Sequence, residues 1–262
     1  MARFNKKNNS SRVAGVFLTL GILLLLASIL FQNQISAFIG LGLTFWGAIF
    51  ALARNGKYIE SSLLDATAKS NYSTIDRMIN DLRFNGQGYY LPSYPQDSFL
   101  PDYLRKLKEP VVFISENFDG KPSVDELVSG KFLSERNRGI FITAPGSGLM
   151  AQMEKLLQTD FSKIDIQDLI GILPRCLTEQ FNLARLVRMT ITENGINFAA
   201  SGILYESLYR SPTSLKSVSM LGCPVVSAVA CVLAKSSGKI VIIKEQALSP
   251  GNCGVRAVLK YI

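Results

Sequence analysis

The hydrophobic positions of the chain are concentrated at its N-terminus, in two uncharged runs. Val13–Phe31 and Ile35–Ala53 each contain 19 residues, and only three polar residues separate them. As α-helices, at about 1.5 Å per residue, each run would measure roughly 28 Å, close to the roughly 30 Å hydrocarbon thickness of a bilayer. The pattern predicts a transmembrane helical hairpin over residues 13–53. A buried helical hairpin in a soluble core and a cleaved signal peptide are the alternatives.

The cleaved signal peptide fits the pattern poorly. Its apolar core usually has about 7–15 residues and is followed by a small-residue cleavage site. Here the first run is longer, and the second run follows after only three residues. The uncleaved hairpin is therefore the preferred interpretation.

Basic residues lie on both outer flanks of the two runs, and the connecting loop carries no charge. The flanking basic residues are Arg3, Lys6, Lys7, Arg12, Arg54 and Lys57. Because cytoplasmic flanks of membrane helices are enriched in Lys and Arg, the pattern predicts a two-pass protein of the cell membrane with both termini cytoplasmic. Residues 1–12 would then form a basic cytoplasmic tail in contact with the lipid bilayer.

The segment after the second run is predicted to be a helical stalk over residues 54–88. Its apolar positions follow a helical period from Tyr58 to Phe84. Asn71–Ser73 is predicted to interrupt the helix, with Ser73 or Thr74 capping a second one. The glycines of residues 85–88 are expected to end the stalk.

Residues 89–262 alternate between β-branched runs and helical patterns, which predicts a cytoplasmic α+β domain with a mixed, largely antiparallel sheet and covering helices. Asn194-Gly195 between two alternating runs predicts a β-hairpin. Pro174 is expected to kink or split its helix. The predicted strands are residues 111–115, 139–143, 186–192, 196–200, 239–245 and 254–261. The predicted helices are residues 124–128, 148–158, 166–181, 203–209 and 224–234.

Composition excludes several classes of protein. Hydrophobic residues make up 48% and charged residues 18% of the chain, which excludes a disordered protein. The chain has no histidine, which excludes Ser-His-Asp and Cys-His catalysis and imidazole metal sites. Half of the net charge of +8 lies in the first 53 residues, and no Lys/Arg cluster interleaved with aromatics appears, so nucleic-acid binding is not indicated. No catalytic residue, metal site or cofactor is predicted.

The loop Pro145–Leu149 is the most suggestive local pattern. It follows a predicted strand and opens a helix, so Gly146, Ser147 and Gly148 could turn backbone N–H groups towards an anion. The loop has neither the third glycine of a dinucleotide fingerprint nor the Lys-Ser/Thr pair of a P-loop. A plain strand-to-helix turn with Ser147 as the N-cap explains the same residues.

Two arginines and two cysteines complete the candidate residues. Arg185 and Arg188 beside the predicted hairpin could assist in binding an anion, or could pair with carboxylates. Cys223 precedes a predicted helix, where a thiolate is stabilised, and Cys253 lies in a predicted turn. The four cysteines lack the spacing of a zinc site, and the small face formed by Cys223, Ser227 and Cys231 is also typical of close packing.

The C-terminal stretch Leu221–Cys231, followed by Gly238–Ile242 and a last strand, resembles the tail of uncharacterised archaeal membrane proteins with a helical hairpin and a cytoplasmic α/β domain. The last fifth of the chain is also distantly similar to the small-ligand-binding domain named after vinyl reductase. The first resemblance implies a family without an assigned activity, and neither implies a functional residue.

These observations predict a membrane-anchored cytoplasmic domain that binds a protein partner or a small ligand and shows no catalytic signature. One alternative is a membrane-tethered enzyme or binder of a phosphorylated or nucleotide-like ligand at Pro145–Leu149. A second alternative is a structural subunit of a membrane complex.

Overall fold

The computed structural model describes residues 9–53, 61–84, 86–95, 98–101, 104, 107–116, 124–134, 138–210, 215–248 and 254–262. The chain divides into two compact units, Met1–Glu60 and Ser61–Ile262.

The first unit contains two antiparallel helices, α1 (Asn9–Phe31) and α2 (Gln34–Ala53). Asn33 begins the second helix, since its Oδ1 accepts a hydrogen bond of 3.0 Å from the Ile35 N–H. The two backbones approach closely at three buried glycines, where an added Cβ would lie 2.7–3.0 Å from a backbone nitrogen of the other helix. These glycines are Gly21, Gly40 and Gly47. Small residues at a helix crossing permit this close approach.

The second unit is an α+β domain. Its helices are α3 (Ser61–Asp81), α4 (Val124–Val128), α5 (Ser147–Leu157), α6 (Ile166–Arg175), α7 (Ser207–Arg210), α8 (Lys216–Leu221) and α9 (Pro224–Ser237). Its strands are β1 (Gln87–Tyr90), β2 (Val111–Ser115), β3 (Leu133–Ser134), β4 (Gly139–Thr143), β5 (Leu186–Thr192), β6 (Gly195–Ser201), β7 (Val241–Leu248) and β8 (Gly254–Tyr261).

The eight strands form one sheet in the order β3-β4-β2-β1-β7-β8-β6-β5, and every pair is antiparallel. Successive residues face opposite sides of a strand. On β2, Val112 and Ile114 belong to the main core cluster, whereas Phe113 belongs to a smaller cluster with Phe141 and Leu91. The predicted α+β class and the antiparallel sheet are therefore confirmed.

Helix α9 is the central helix of the main core. Residues Val225 to Lys235 are all buried, and the helix contacts α5, α6, β1, β7 and β8. By length and composition Lys216–Ser237 is the one helical stretch of the described residues that could cross a membrane, yet 83% of its apolar window is buried inside the protein. Its hydrophobicity is accounted for by the core. The described apolar parts of the first unit, Gly15–Phe31 and Gln34–Phe50, are shorter.

The segment predicted as a stalk differs from the expectation. Helix α3 runs from Ser61 to Asp81 without a break at Asn71–Ser73. Ser73 caps no second helix, because its hydroxyl donates to the Lys69 carbonyl one turn earlier. Tyr72 and Ile79 are buried in the core, so α3 is a packed helix of the second unit. Residues 87–90, expected to end the stalk and start a new region, form strand β1.

Two other local predictions are confirmed. Strands β5 and β6 pair with Thr192 opposite Gly195, so Glu193 and Asn194 are the two loop residues. Pro174 lies inside α6, and the helix changes at Cys176 into a five-residue π-helical turn, Cys176–Gln180. Proline supplies no N–H to the preceding turn, and the helix type changes two residues after it.

Candidate functional site

A pocket of about 490 Å³ lies between α3, the loop after β4 and the start of α9. We call it the α3–α5 pocket. It is lined by Leu64, Thr67, Ala68, Asn71, Tyr72, Ile75, Thr143, Ala144, Pro145, Gly148, Leu149, Tyr205 and Pro224. The volume lies within the range of about 300–1,000 Å³ that is typical of small-molecule sites.

The loop between β4 and α5 is fixed to α9 by Ser227. The Gly146 N–H donates a hydrogen bond of 2.9 Å to Ser227 Oγ. The Tyr90 hydroxyl lies 2.9 Å from the same oxygen and 2.6 Å from the Leu221 carbonyl oxygen. All of these polar atoms are buried, and a buried polar atom left unpaired is costly. This network therefore holds one wall of the pocket rigidly.

The opposite wall is fixed by Tyr72 and Asp76 of α3. The Tyr72 hydroxyl donates to the Gly222 carbonyl at 2.6 Å, and the Tyr72 carbonyl accepts from the Ser217 hydroxyl at 3.0 Å. The Asp76 carboxylate accepts from the Lys216 and Ser217 N–H groups, at 3.1 and 2.6 Å, and so caps α8. Helix α3 is thereby joined to the turn between α8 and α9.

The turn between α8 and α9 requires glycine. Gly222 has a φ of +68°, in the left-handed region that L side chains rarely adopt, and its carbonyl is the one that Tyr72 binds. The next N–H, of Cys223, donates to the Tyr209 hydroxyl at 2.8 Å. Pro224 then occupies the first position of α9, where its missing N–H is harmless.

The predicted anion loop is shaped by packing. A Cβ at Gly146 would lie 2.0 Å from the Ala228 backbone nitrogen, so this glycine permits contact between the loop and α9. Its N–H is already bonded to Ser227. Gly148, in contrast, has no atom within 4 Å of its Cβ position and lines the pocket. The N-cap of α5 is Gly146, without a side-chain cap, so the prediction of Ser147 as the N-cap was wrong.

The two arginines are not brought to this loop. Arg188 lies on β5, and Arg185 precedes that strand; both are exposed. In the sheet order β4 and β5 are six strand spacings apart, about 29 Å at about 4.8 Å per spacing. The arginines therefore flank the hairpin at the far edge of the sheet.

The described cysteines are buried. Cys176, Cys223 and Cys231 are free thiols with 0–3% of their surface exposed. Burial raises the pKa of the Cys223 thiol, and the hydrogen bonds at the helix start lower it by less. The helix start therefore does not produce a thiolate at neutral pH. Cys253, the other candidate thiol, lies outside the described residues.

Tyr205 is the most unusual residue of the pocket wall. Its φ of +70° is left-handed, which is a genuine outlier for a bulky side chain. The ring is half-buried, and burial raises the pKa of its hydroxyl, with smaller contributions from Cys223 and Asp65. Among the described residues the Tyr205 hydroxyl has no hydrogen-bond partner. Strained residues of this kind concentrate at ligand sites.

A separate cluster of charges lies at the other end of α9. The buried Lys235 ammonium contacts Glu154 Oε1 at 2.6 Å and Asp160 Oδ2 at 2.8 Å. Glu154 also accepts the Phe161 N–H at 3.0 Å. These bonds join α9 to α5 and to the segment before α6, which is a structural role. In the parts of the chain that the structure describes, no group of three or more Cys, Asp or Glu side chains is placed to hold a metal ion.

The residues that build the pocket carry no recognisable pattern in the sequence. Tyr72 binds the Gly222 carbonyl, and Tyr90 binds the Leu221 carbonyl and Ser227, across 131 to 150 residues of chain, and a single sequence carries no local signal of such contacts. The pocket residue Tyr205 lies in a stretch predicted to be a helix, whereas α7 begins only at Ser207.

A family model described as "Domain of unknown function (DUF7982)" matches residues 2–252. No curated protein and no solved structure matches the chain. The expected family without an assigned activity is thereby confirmed, whereas an archaeal source and a membrane location stay predictions.

Proposed function

The chain belongs to the family described as "Domain of unknown function (DUF7982)", and from that premise we propose that it is a membrane-anchored, cytoplasmic small-ligand-binding domain whose ligand occupies the α3–α5 pocket. The observation that carries the proposal is the pocket itself, with apolar walls and a few polar groups on a rigid frame. Pockets with this combination are the usual small-molecule sites of proteins.

The membrane anchor is supported by the outer faces of α1 and α2. Large apolar side chains are exposed along both helices, among them Ile29, Leu30 and Phe38, which are 75–82% exposed. No described residue of either run is charged. A helix that is apolar on all sides needs an apolar environment. The basic flanks favour cytoplasmic termini, which would place the second unit in the cytoplasm.

The other functions considered above have less support in the pocket. A phosphorylated ligand needs free N–H donors and basic side chains, but the Gly146 N–H is bonded to Ser227 and no Lys or Arg lines the pocket. A protein partner or a structural role in a membrane complex needs no pocket at all.

A pair of glycine substitutions tests the proposal in the full-length chain in detergent. Gly148→Leu adds a side chain to the pocket lining at a position where the space around the Cβ atom is open. Gly171→Leu is the matched control, since Gly171 is also an exposed helical glycine with open space but lies in α6, outside the pocket. The readout is the thermal shift produced by a panel of small organic fragments.

We expect some fragments to raise the Tm of the wild type and of Gly171→Leu, but not of Gly148→Leu. At a hundred times its Kd a fragment stabilises the folded chain by about 2.7 kcal/mol, which a thermal shift detects. The proposal is wrong if no fragment raises the Tm, or if the shift persists in Gly148→Leu.

A further inference from the structure

We propose that the ligand of the α3–α5 pocket is an uncharged, mainly apolar molecule that presents a hydrogen-bond acceptor, such as a ketone or amide carbonyl, to the Tyr205 hydroxyl. This inference rests on the proposed function and specifies the chemical class of ligand for the same site.

The described lining of the α3–α5 pocket carries no charged side chain. None of the thirteen described residues that line the α3–α5 pocket is Lys, Arg, Asp or Glu. The pocket near Lys235, of about 480 Å³, is lined by Glu154, Lys155, Asp160 and Lys163 among others. The chain has 48 charged side chains, so a lining without any is a distinctive feature. Such a pocket disfavours charged ligands, because burying a charge without a partner costs free energy.

A ligand in the pocket would cover apolar side chains on both walls. Leu64, Ala68 and Ile75 line the pocket from α3, and Leu149 and Pro224 line it from the opposite side. Ala68 is 7% exposed and Ile75 packs on the main core. These surfaces favour a molecule whose bulk is hydrocarbon.

Among the described residues that line the pocket, Tyr205 carries the one half-buried hydroxyl without a hydrogen-bond partner. The Tyr72 hydroxyl is committed to the Gly222 carbonyl, and the Thr67 hydroxyl donates to carbonyls of its own helix at 2.9–3.1 Å. The Tyr205 hydroxyl has no partner among the described residues, and it stays protonated at neutral pH because burial raises its pKa. The Tyr205 hydroxyl can therefore donate a hydrogen bond to an acceptor atom of the ligand.

The position of Asp65 also opposes an anionic ligand. Asp65 makes the smallest of the three contributions that raise the pKa of the Tyr205 hydroxyl, and its buried Oδ1 atom has no hydrogen-bond partner among the described residues. A carboxylate or phosphate placed against Tyr205 would be repelled by this neighbouring carboxylate.

Three photoreactive probes that share a benzophenone core but differ in charge test the inference. Benzophenone is uncharged and carries a ketone acceptor, 4-benzoylbenzoate adds a negative charge, and 4-(aminomethyl)benzophenone adds a positive one. Each is titrated against the full-length chain in detergent and irradiated. Peptide mass spectrometry then gives the concentration for half-maximal labelling of the segments 61–75 and 143–149. Adducts on α1 and α2 report partition into detergent and serve as the internal background.

We expect saturable labelling of both segments by benzophenone. For each charged probe the concentration for half-maximal labelling should be at least about tenfold higher. Gly148→Leu should abolish the pocket adducts, and Gly171→Leu should leave them unchanged. Tyr205→Phe keeps the ring and should raise the benzophenone concentration for half-maximal labelling by about threefold to tenfold, the effect of losing one neutral hydrogen bond. Its thermal stability without probe should match that of the wild type.

The inference is overturned if a charged probe labels the pocket as well as benzophenone does, or if Tyr205→Phe labels like the wild type. It is also overturned if benzophenone gives no saturable pocket adduct. In that case the fragment panel distinguishes the two proposals. If fragments still raise the Tm of the wild type but not of Gly148→Leu, the proposed ligand-binding function stands and only the proposed class of ligand is wrong.

Discussion

Three tyrosine side chains bind the backbone at one break, between α8 and α9. Between α8 and α9 the carbonyls of Leu221 and Gly222 accept hydrogen bonds of 2.6 Å from the hydroxyls of Tyr90 and Tyr72, and the Cys223 N–H donates one of 2.8 Å to the Tyr209 hydroxyl. Buried backbone groups need such partners. The tyrosines thus satisfy the backbone groups at the point where the 22-residue apolar stretch Lys216–Ser237 is interrupted inside the core.

The same residues predict how stability depends on pH. Burial raises the pKa of Tyr72, Tyr90, Tyr209, Cys223 and Cys231 in the folded protein. In the unfolded chain the pKa of cysteine is about 8.5 and that of tyrosine is about 10. Because the folded pKa is the higher one, the stabilisation is complete below these values and is lost as the pH rises above them. We expect the free energy of unfolding to fall from about pH 9, by up to about 1.4 kcal/mol per pH unit for each ionised group.

Urea unfolding of the full-length chain in detergent between pH 7 and pH 10.5 measures this decline. Tyr90→Phe is the informative variant, since it removes one ionisable group but keeps the ring. It should be less stable at pH 7, because Ser227 and the Leu221 carbonyl lose a partner. Its decline above pH 9 should be shallower than that of the wild type. A free energy of unfolding that stays constant up to pH 10.5 would contradict the raised pKa values of the buried tyrosines and cysteines.

At the scale of elements, the loop before α5 shows one sequence pattern serving two purposes. Gly146 and Gly148 are equivalent in the pattern Gly-x-Gly, but in the structure one contacts the backbone of α9 and the other opens into the pocket. The fold therefore requires the first glycine for packing, and the site requires the second for space.

Alanine at each glycine separates these two requirements. Gly146→Ala would place a Cβ 2.0 Å from the Ala228 nitrogen, so the loop or α9 must move. We expect a loss of more than about 3 kcal/mol of stability, at the upper end of the effects of single mutations. Gly148→Ala meets no atom within 4 Å and should be neutral or stabilising by up to about 1 kcal/mol. Chemical unfolding of both variants checks the pair, and equal effects would refute the packing role of Gly146.

Elements with a local signal were predictable from the sequence. The β5–β6 hairpin was predicted to within a residue because alternation and a glycine specify it, and Pro174 marks the end of α6. The continuity of α3 was not, because Asn71 and Ser73 on its exposed face resemble a break, whereas the buried Tyr72 between them binds Gly222, 150 residues away. The pocket depends on such distant contacts, so only its loop Pro145–Leu149 was found.

At the scale of the whole molecule, apolar sequence serves two different environments. The stretch Lys216–Ser237 is buried within the second unit, whereas α1 and α2 expose large apolar side chains around a narrow seam of glycines. Hydrophobicity alone does not distinguish them. The distinction comes from what covers each surface, and for α1 and α2 the proposed cover is lipid.

Charges placed on those outer faces test the proposed anchor. Leu23 and Leu41 are 63% and 62% exposed, near the middle of the two uncharged runs. Because an arginine at the centre of a membrane helix costs about 2.5–3.5 kcal/mol, the double variant Leu23→Arg/Leu41→Arg should insert poorly. We expect the wild type to remain in the membrane pellet after alkaline carbonate extraction, and a substantial part of the double variant to be released.

Asn9→Arg is the control, since it adds an arginine to the basic N-terminal flank instead of to an outer face and should leave membrane retention unchanged. Orientation is read from protease protection in intact cells, where a C-terminal epitope should be protected and an epitope inserted beside Asn33 should be cleaved. Release of the wild type by carbonate would refute the anchor itself. A cleaved C-terminal epitope would instead refute only the cytoplasmic placement, and with it the assignment of the ligand to the cytoplasmic pool, while the pocket and its ligand class would stand.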